Sequence, residues 1–251
     1  MQESLHHERS FEFRILSKAD YEYEGSELSL FAAANNWKNY WSRQIRPYIR
    51  GTVIEVGAGL GTNTALLADQ GDPWICLEPD LHMSNVIRDA LAAGSLPKHC
   101  QVITGTLASL DPEVKADTIL YIDVMEHIAG DRQEMMDAAA RLRPGGNLIV
   151  LSPAHQWLFS PFDEAIGHHR RYTKDSLLAI TPPGLKPVKT RYLDSCGLMA
   201  SAANRWLLSA SMPNSQQIRF WDNVLVRMSR AADPVVGFKV GKTVIGIWRR
   251  E

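Results

Sequence analysis

Two stretches of this sequence concentrate residue types that do chemistry. The first is Gly57-Ala58-Gly59-Leu60-Gly61, with Glu55 two residues before it. Glycines at this spacing let backbone come close to a ligand with no Cβ atoms in the way, and a helix starting at Thr62 would point its N-terminus at that ligand. Glu78 lies 21 residues beyond Gly57, where a carboxylate can accept both hydroxyl hydrogen bonds of an adenosine ribose. That arrangement suits any ribose-bearing cofactor. The dinucleotide fingerprint G-x-G-x-x-G needs a glycine where this chain has Thr62, which disfavours a nicotinamide-dependent oxidoreductase. The plainer alternative is a tight strand-to-helix turn with no ligand at all.

The second stretch runs from Ser160 to Tyr172 and contains Asp163, Glu164, His168, His169, Arg170 and Arg171. His168 is a candidate general base, and Arg170 or Arg171 can bind a carboxylate or phosphate. The alternative is that Asp163 and Glu164 pair with the arginines to hold a surface loop. His127 is either catalytic or a hydrogen-bonding residue at the start of a helix, while His82, His99 and His155 read as structural or solvated.

These residues need a scaffold, and the pattern around them alternates strand and helix. A helical face recurs through Phe31, Ala34, Trp37, Trp41, Ile45 and Tyr48, ending around Pro47. Thr52 to Val56 reads as a strand, Thr62 to Gln70 as a helix stopped by Gly71, Trp74 to Glu78 as a strand, and Asp80 as the cap of a helix ending at Gly94. Gln101 to Thr104, Asp117 to Asp123 and Asn147 to Leu151 read as further strands, with a helix over 131–143 and a Pro144-Gly145-Gly146 turn before the last. Such alternation predicts an α/β fold, a parallel sheet with helices on both faces. Farther on, Thr173 caps a short helix and Val188 to Leu193 is a strand. Ile218, Trp221, Leu225 and Met228 share a helical face, and Lys242 to Trp248 closes the chain as a strand. Residues 1–25 read as an N-terminal arm and 26–251 as one domain.

With 251 residues, 45% hydrophobic, a net charge of -1 and three cysteines, the chain is neither disordered nor a disulfide scaffold. A balanced charge offers no global attraction for nucleic acid. Cys76, Cys100 and Cys196 lack C-x-x-C spacing and read as reduced thiols, so no metal site and a cytoplasmic location are expected. No signal peptide, membrane span or stable membrane anchor is expected.

Val53 to Gly61, V-I-E-V-G-A-G-L-G, resembles the first motif of the class I S-adenosylmethionine-dependent methyltransferases. I-C-L-E-P-D at Ile75 to Asp80, G-T-L at Gly105 to Leu107, I-D-V-M-E-H-I at Ile122 to Ile128 and L-R-P-G-G at Leu142 to Gly146 are similar to later segments of that family. The resemblance covers residues 50–151, as the cofactor half, and leaves 152–251 as the substrate side. It implies a Rossmann-like, doubly wound seven-stranded sheet, mostly parallel with an antiparallel last strand. It also implies S-adenosyl-L-methionine as cofactor, held by Glu55, Gly57, Ala58, Gly59, Gly61, Asn63, Glu78, Pro79, Thr106, Leu107 and Asp123. Many relatives have Asp where this chain has Thr106.

A D-E-x-x-G-H-x-R-R-Y segment like the one ending at Tyr172 occurs in a subset of bacterial small-molecule methyltransferases. That points to a small-molecule acceptor, anionic if the arginines clamp it, with Tyr40, Arg170, Arg171 and Tyr172 on its side and His168, His127 and Asp163 in the chemistry. No N-P-P-Y-like run follows the fourth strand, and oxygen is expected as the methylated atom ahead of nitrogen or carbon. A non-catalytic protein that retains the cofactor is the remaining alternative. Trp37, Tyr40 and Trp41 form either a lid or core packing, and Leu198 to Ser211 a substrate wall or an interfacial helix.

Overall fold

The computed structural model describes residues 31–207 and 214–251. The expected arm over 1–25, and the side chains of Trp206, Leu207 and Leu208, lie outside the described residues.

The strands are β1 (Val53–Val56), β2 (Trp74–Glu78), β3 (Cys100–Thr104), β4 (Ala116–Ile122), β5 (Leu142–Pro153), β6 (Leu185–Leu193) and β7 (Thr243–Arg250). They form one seven-stranded sheet in the order β3-β2-β1-β4-β5-β7-β6. The neighbours among β1 to β5 run parallel, and β7 is antiparallel to both strands beside it. Every residue of β1 and β2 is buried, the signature of a parallel sheet covered on both sides. The period-two geometry of a strand divides their side chains between two cores. Val53, Trp74, Leu120 and Ile149 face one, and Ile54, Ile75, Ile119 and Leu148 face the other.

The helices are α1 (Asn35–Ile45), α2 (Thr62–Leu67), α3 (Leu81–Ala92), α4 (Asp131–Arg141), α5 (Pro161–Ala165), α6 (Lys174–Leu178), α7 (Ser195–Leu207), α8 (Ser215–Phe220) and α9 (Val226–Val235). The first core receives Trp37, Tyr40 and Trp41 of α1, Leu67 of α2, Ile87 of α3, Ile218 of α8 and Val226 of α9. The second receives Met135 and Ala138 of α4 and Leu177 of α6. Asp80 caps α3 as expected, its Oδ1 accepting from the Met83 N–H at 2.9 Å.

Four local expectations are corrected. Gly71 does not end a helix in the left-handed conformation, because α2 already stops at Leu67 and gives way to a 3-10 turn, and Gly71 is extended. Its glycine is required by contact, since a Cβ there would lie 2.3 Å from Val53 Cγ2. Pro144-Gly145-Gly146 is not a separate turn before β5 but part of its irregular start, where the register with β4 shifts between Ala116 and Thr118. The first helix is also shorter than the apolar spacing suggests, running only from Asn35 to Ile45, with Pro47 inside a following 3-10 turn. Finally, Met228 does not share a face with Ile218 and Trp221. A π turn over Trp221–Leu225 joins α8 to α9, and such a turn inserts an extra residue that shifts the helical phase. Met228 is exposed, and Val226, Ser229 and Asp233 point inward instead.

Candidate functional site

The glycine turn leaves β1 with Gly57, Gly59 and Gly61 all at positive φ, at 68°, 57° and 74°. L side chains disfavour that region, so glycine is the residue that lets the chain turn here. At Gly57 a Cβ would also meet Val124 Cγ2 at 2.5 Å. The turn is anchored to β2, where the Leu77 carbonyl accepts from the N–H groups of Gly57 and Ala58 at 2.8 and 3.0 Å.

Glu78, at the end of β2, is buried and bound to the same turn. Its Oε2 accepts from the Gly59 N–H at 2.7 Å and its Oε1 from the Asp80 N–H at 3.0 Å. Each carboxylate oxygen has a second lone pair, so the group keeps acceptor capacity for a hydroxyl. Burial raises its pKa from the usual carboxylate value.

Glu55 points into the first core, where its Oε2 accepts from Thr64 Oγ1 at 2.6 Å and from Trp74 Nε1 at 2.8 Å. Its Oε1 is buried with no hydrogen-bond partner, and burial pushes its carboxyl up to about 7.

Asp123 follows β4 at positive φ. Because Val56 pairs with Tyr121 in the neighbouring strand, the backbone at Asp123 stands beside the glycine turn. The residue is open to solvent on one side, and the desolvation of its carboxyl by the surrounding protein holds it above the usual carboxylate range. Of the other expected cofactor residues, Ala58 is buried, Asn63 and Pro79 are partly exposed, and Thr106 is exposed where it opens a 3-10 turn. Leu107 is buried in the second core, so toward the cleft it offers backbone rather than side chain.

The segment after β5 folds around Asp163, which is fully buried at the third position of α5. Its carboxylate accepts from Ser160 N–H and Oγ, both at 2.9 Å, and from Arg171 Nε and Nη2 at 2.8 and 2.9 Å. His168 Nδ1 is also 2.9 Å from its Oδ1. These donors, His168 and Arg171 foremost, hold the carboxyl far below the usual carboxylate range against the opposing effect of burial.

Beyond His168, Nε2 faces Glu126 Oε1 at 3.9 Å. The imidazole packs edge-on against His127, with ring centroids 4.5 Å apart. Burial, with His168 beside it, brings the His127 pKa down to about 4. Glu126 is fully buried, accepts from Ser152 Oγ at 2.8 Å, and has an Oε1 with no hydrogen-bond partner. Burial, then the Asp123 charge, drives its carboxyl well above the ordinary range. Sequence reading does not single out Glu126, although its place directly before His127 is a visible signal.

The four residues expected on the acceptor side are engaged with the protein itself. Arg170 donates to the carbonyls of Ile128 and Ala129 at 2.9 and 2.8 Å and pairs with Asp131 at 2.8 Å. Arg171 holds Asp163, and Tyr172 donates to Asp131 Oδ2 at 2.7 Å. In this arrangement the arginines hold the loop, and they are not poised as an anion clamp. Tyr40 donates to Asp233 Oδ2 at 2.7 Å, and with Trp37 and Trp41 it is buried core. His99 and His155 bond backbone carbonyls, and His82 is exposed.

A seven-stranded sheet with one antiparallel strand, a left-handed glycine turn after β1 and a buried acid at the end of β2 defines a Rossmann-like fold built for a nucleoside cofactor. Residues 54–148 match a family described as a methyltransferase domain. The demethylmenaquinone methyltransferases of Tropheryma whipplei strains Twist and TW08/27 are each 26% identical over 164 residues, 63% of this chain. The chain spans 66%, just under two thirds, of the length of these curated relatives.

Among solved structures, an S-adenosylmethionine-dependent methyltransferase from Clostridium acetobutylicum has a TM-score of 0.57 at 9% identity, covering 89% of this chain and 95% of that one. Phosphoethanolamine N-methyltransferase 2 of Haemonchus contortus, in complex with phosphomonomethylethanolamine and S-adenosylhomocysteine, has a TM-score of 0.60 at 12% identity, covering 90% and 57%. Residues 54–148 are thus similar to a class I methyltransferase domain, and S-adenosylmethionine is the cofactor of such a domain. The site fits it: Glu78 offers acceptors to a ribose, and Asp123 beside the turn places a carboxyl group where a sulfonium can approach. Among the described residues no helix is long and apolar enough to cross a membrane.

Proposed function

We propose that this chain transfers a methyl group from S-adenosylmethionine to an oxygen of a small-molecule acceptor. The observation that carries the reading is the Gly59 N–H bonded to Glu78 at 2.7 Å, which ties turn and acid into one cradle beside Asp123. Glu78 holds the ribose hydroxyls, the backbone of Gly57 to Gly61 and Asn63 lines the methionine end, and Pro79, Thr106 and Leu107 flank the base. When bound, the cofactor supplies an electrophilic methyl on a cationic sulfur.

The acceptor's proton needs a receiving group within hydrogen-bond reach. His168 has the geometry for one: Asp163 fixes its Nδ1 at 2.9 Å, which orients the ring and leaves Nε2 as the acceptor. Asp163 is in turn fixed by Arg171, so Arg170, Arg171 and Tyr172 act on the acceptor by holding this loop. Residues 26–251 work as one unit, 50–151 binding cofactor and 152–251 enclosing the acceptor. A chain with a net charge of -1 and free cysteines suits a cytoplasmic enzyme of metabolism that does not act on nucleic acid.

The test is a screen of small hydroxylated, amino and carbon acids with radiolabelled methyl donor, run with His168→Ala beside the wild type. Transfer to a hydroxyl that falls at least tenfold in the variant supports the reading. Transfer only to nitrogen or carbon would replace the acceptor atom, and cofactor binding without turnover on any acceptor would favour a non-catalytic role.

A further inference from the structure

We propose that Glu126, His127 and His168 form a three-ligand site for a divalent transition-metal ion of the zinc type. One ligand atom from each lies within 4.8 Å of the other two. Two imidazoles and one carboxylate are a ligand set that zinc takes in catalytic sites, where a fourth position is left to water or substrate.

Three observations point to an ion here. First, Glu126 is fully buried, and its Oε1 has no hydrogen-bond partner although it is aimed at His168 Nε2. An orphaned buried carboxylate oxygen is costly, and a cation satisfies it. Second, the 3.9 Å gap between Glu126 Oε1 and His168 Nε2 is too long for a hydrogen bond. Ligand bonds of about 2.0–2.1 Å in a tetrahedral site put such atoms about 3.4 Å apart, a small contraction from here.

Third, the His168 imidazole is already oriented as metal-binding histidines are, with Nδ1 on the Asp163 carboxylate at 2.9 Å. An outer partner of this kind fixes the tautomer and turns Nε2 toward the ion. Arg171, forked onto Asp163, completes the second layer.

The cluster follows Val124, whose side chain packs at the Gly57 turn. The site therefore borders the cofactor cleft. Resting on the methyl-transfer reading, an acceptor hydroxyl bound at the open position would lose its proton more readily, and His168 would then serve as ligand rather than free base.

The test uses the full chain, stripped with a chelator and titrated with Co²⁺ while visible d–d absorption is recorded, then competed with Zn²⁺. One equivalent of Co²⁺ with a low-symmetry spectrum, displaced by Zn²⁺, is expected. Glu126→Gln and His127→Asn should each weaken binding at least tenfold, and Asp163→Asn by roughly ten- to a hundredfold. The double variant His6→Ala/His7→Ala, which removes the adjacent pair near the N-terminus, should bind as wild type. Circular dichroism checks folding, and His127→Asn carries the test if Glu126→Gln does not fold. No stoichiometric uptake, or uptake untouched by these ligand substitutions, overturns the site. Thermal unfolding of the same stripped protein with S-adenosylhomocysteine tests the cofactor reading separately, so either can fail alone.

Discussion

Glu55 shows how one buried side chain sets a pH dependence. Its carboxyl titrates at about 7 in the fold against 4.5 ordinarily, with burial as the main cause. The folded state therefore prefers the protonated acid, and stability falls as pH rises from 4.5 through 7, then levels. Glu55→Gln removes this dependence, so between pH 4.5 and 8 the variant should gain on the order of 3 kcal/mol relative to wild type. Urea unfolding of both proteins at the two pH values checks it, and an equal difference at both would contradict the assignment. At Gly57 the substitution is steric: φ is +68° and an added Cβ would sit 2.5 Å from Val124. Gly57→Ala should cost about 2 kcal/mol in urea unfolding and weaken S-adenosylhomocysteine binding.

Helix α1 depends on a cap from elsewhere in the chain. No side chain within the helix's own N-terminal segment caps it. Asp222, in the π turn, instead accepts from the N–H groups of Asn36 and Trp37 at 3.2 and 2.8 Å. Asp233 on α9 accepts from Tyr40 at 2.7 Å and from the Asp194 and Ser195 N–H groups. Asp222→Ala should cost about 1–2 kcal/mol, and hydrogen exchange should show faster opening at Asn36 and Trp37 than in the central strands.

The cap also marks the limit of what the sequence reveals. Trp74 to Glu78, the Asp80 cap and the glycine turn were legible because each is encoded within a few residues. The partnership of Tyr40 with Asp233 spans 193 positions and leaves no local trace. The inward turn of Arg170 and Arg171, and the meeting of Glu126 with His168, depend likewise on how distant loops pack. The phase slip that exposes Met228 arises from a π turn, which a 3.6-residue period does not anticipate.

At the scale of the whole molecule, the parallel strands β1, β2 and β4 deliver the glycine turn, Glu78 and Asp123 to one edge of the sheet. The segment after β5 brings His168 and Asp163 to the same region through contacts with Glu126 and His127. A ligand that binds only the folded state raises stability in proportion to its affinity, so S-adenosylhomocysteine should raise the midpoint of thermal unfolding and NADH should not. The most direct measurement is calorimetric titration of S-adenosylhomocysteine into wild type and Glu78→Ala, with circular dichroism as a check on folding. One site per chain in the wild type, and at least tenfold weaker binding in a folded variant, is the expected result. No binding to the wild type, or equal affinity in the two proteins, would contradict the cradle formed by the glycine turn and Glu78.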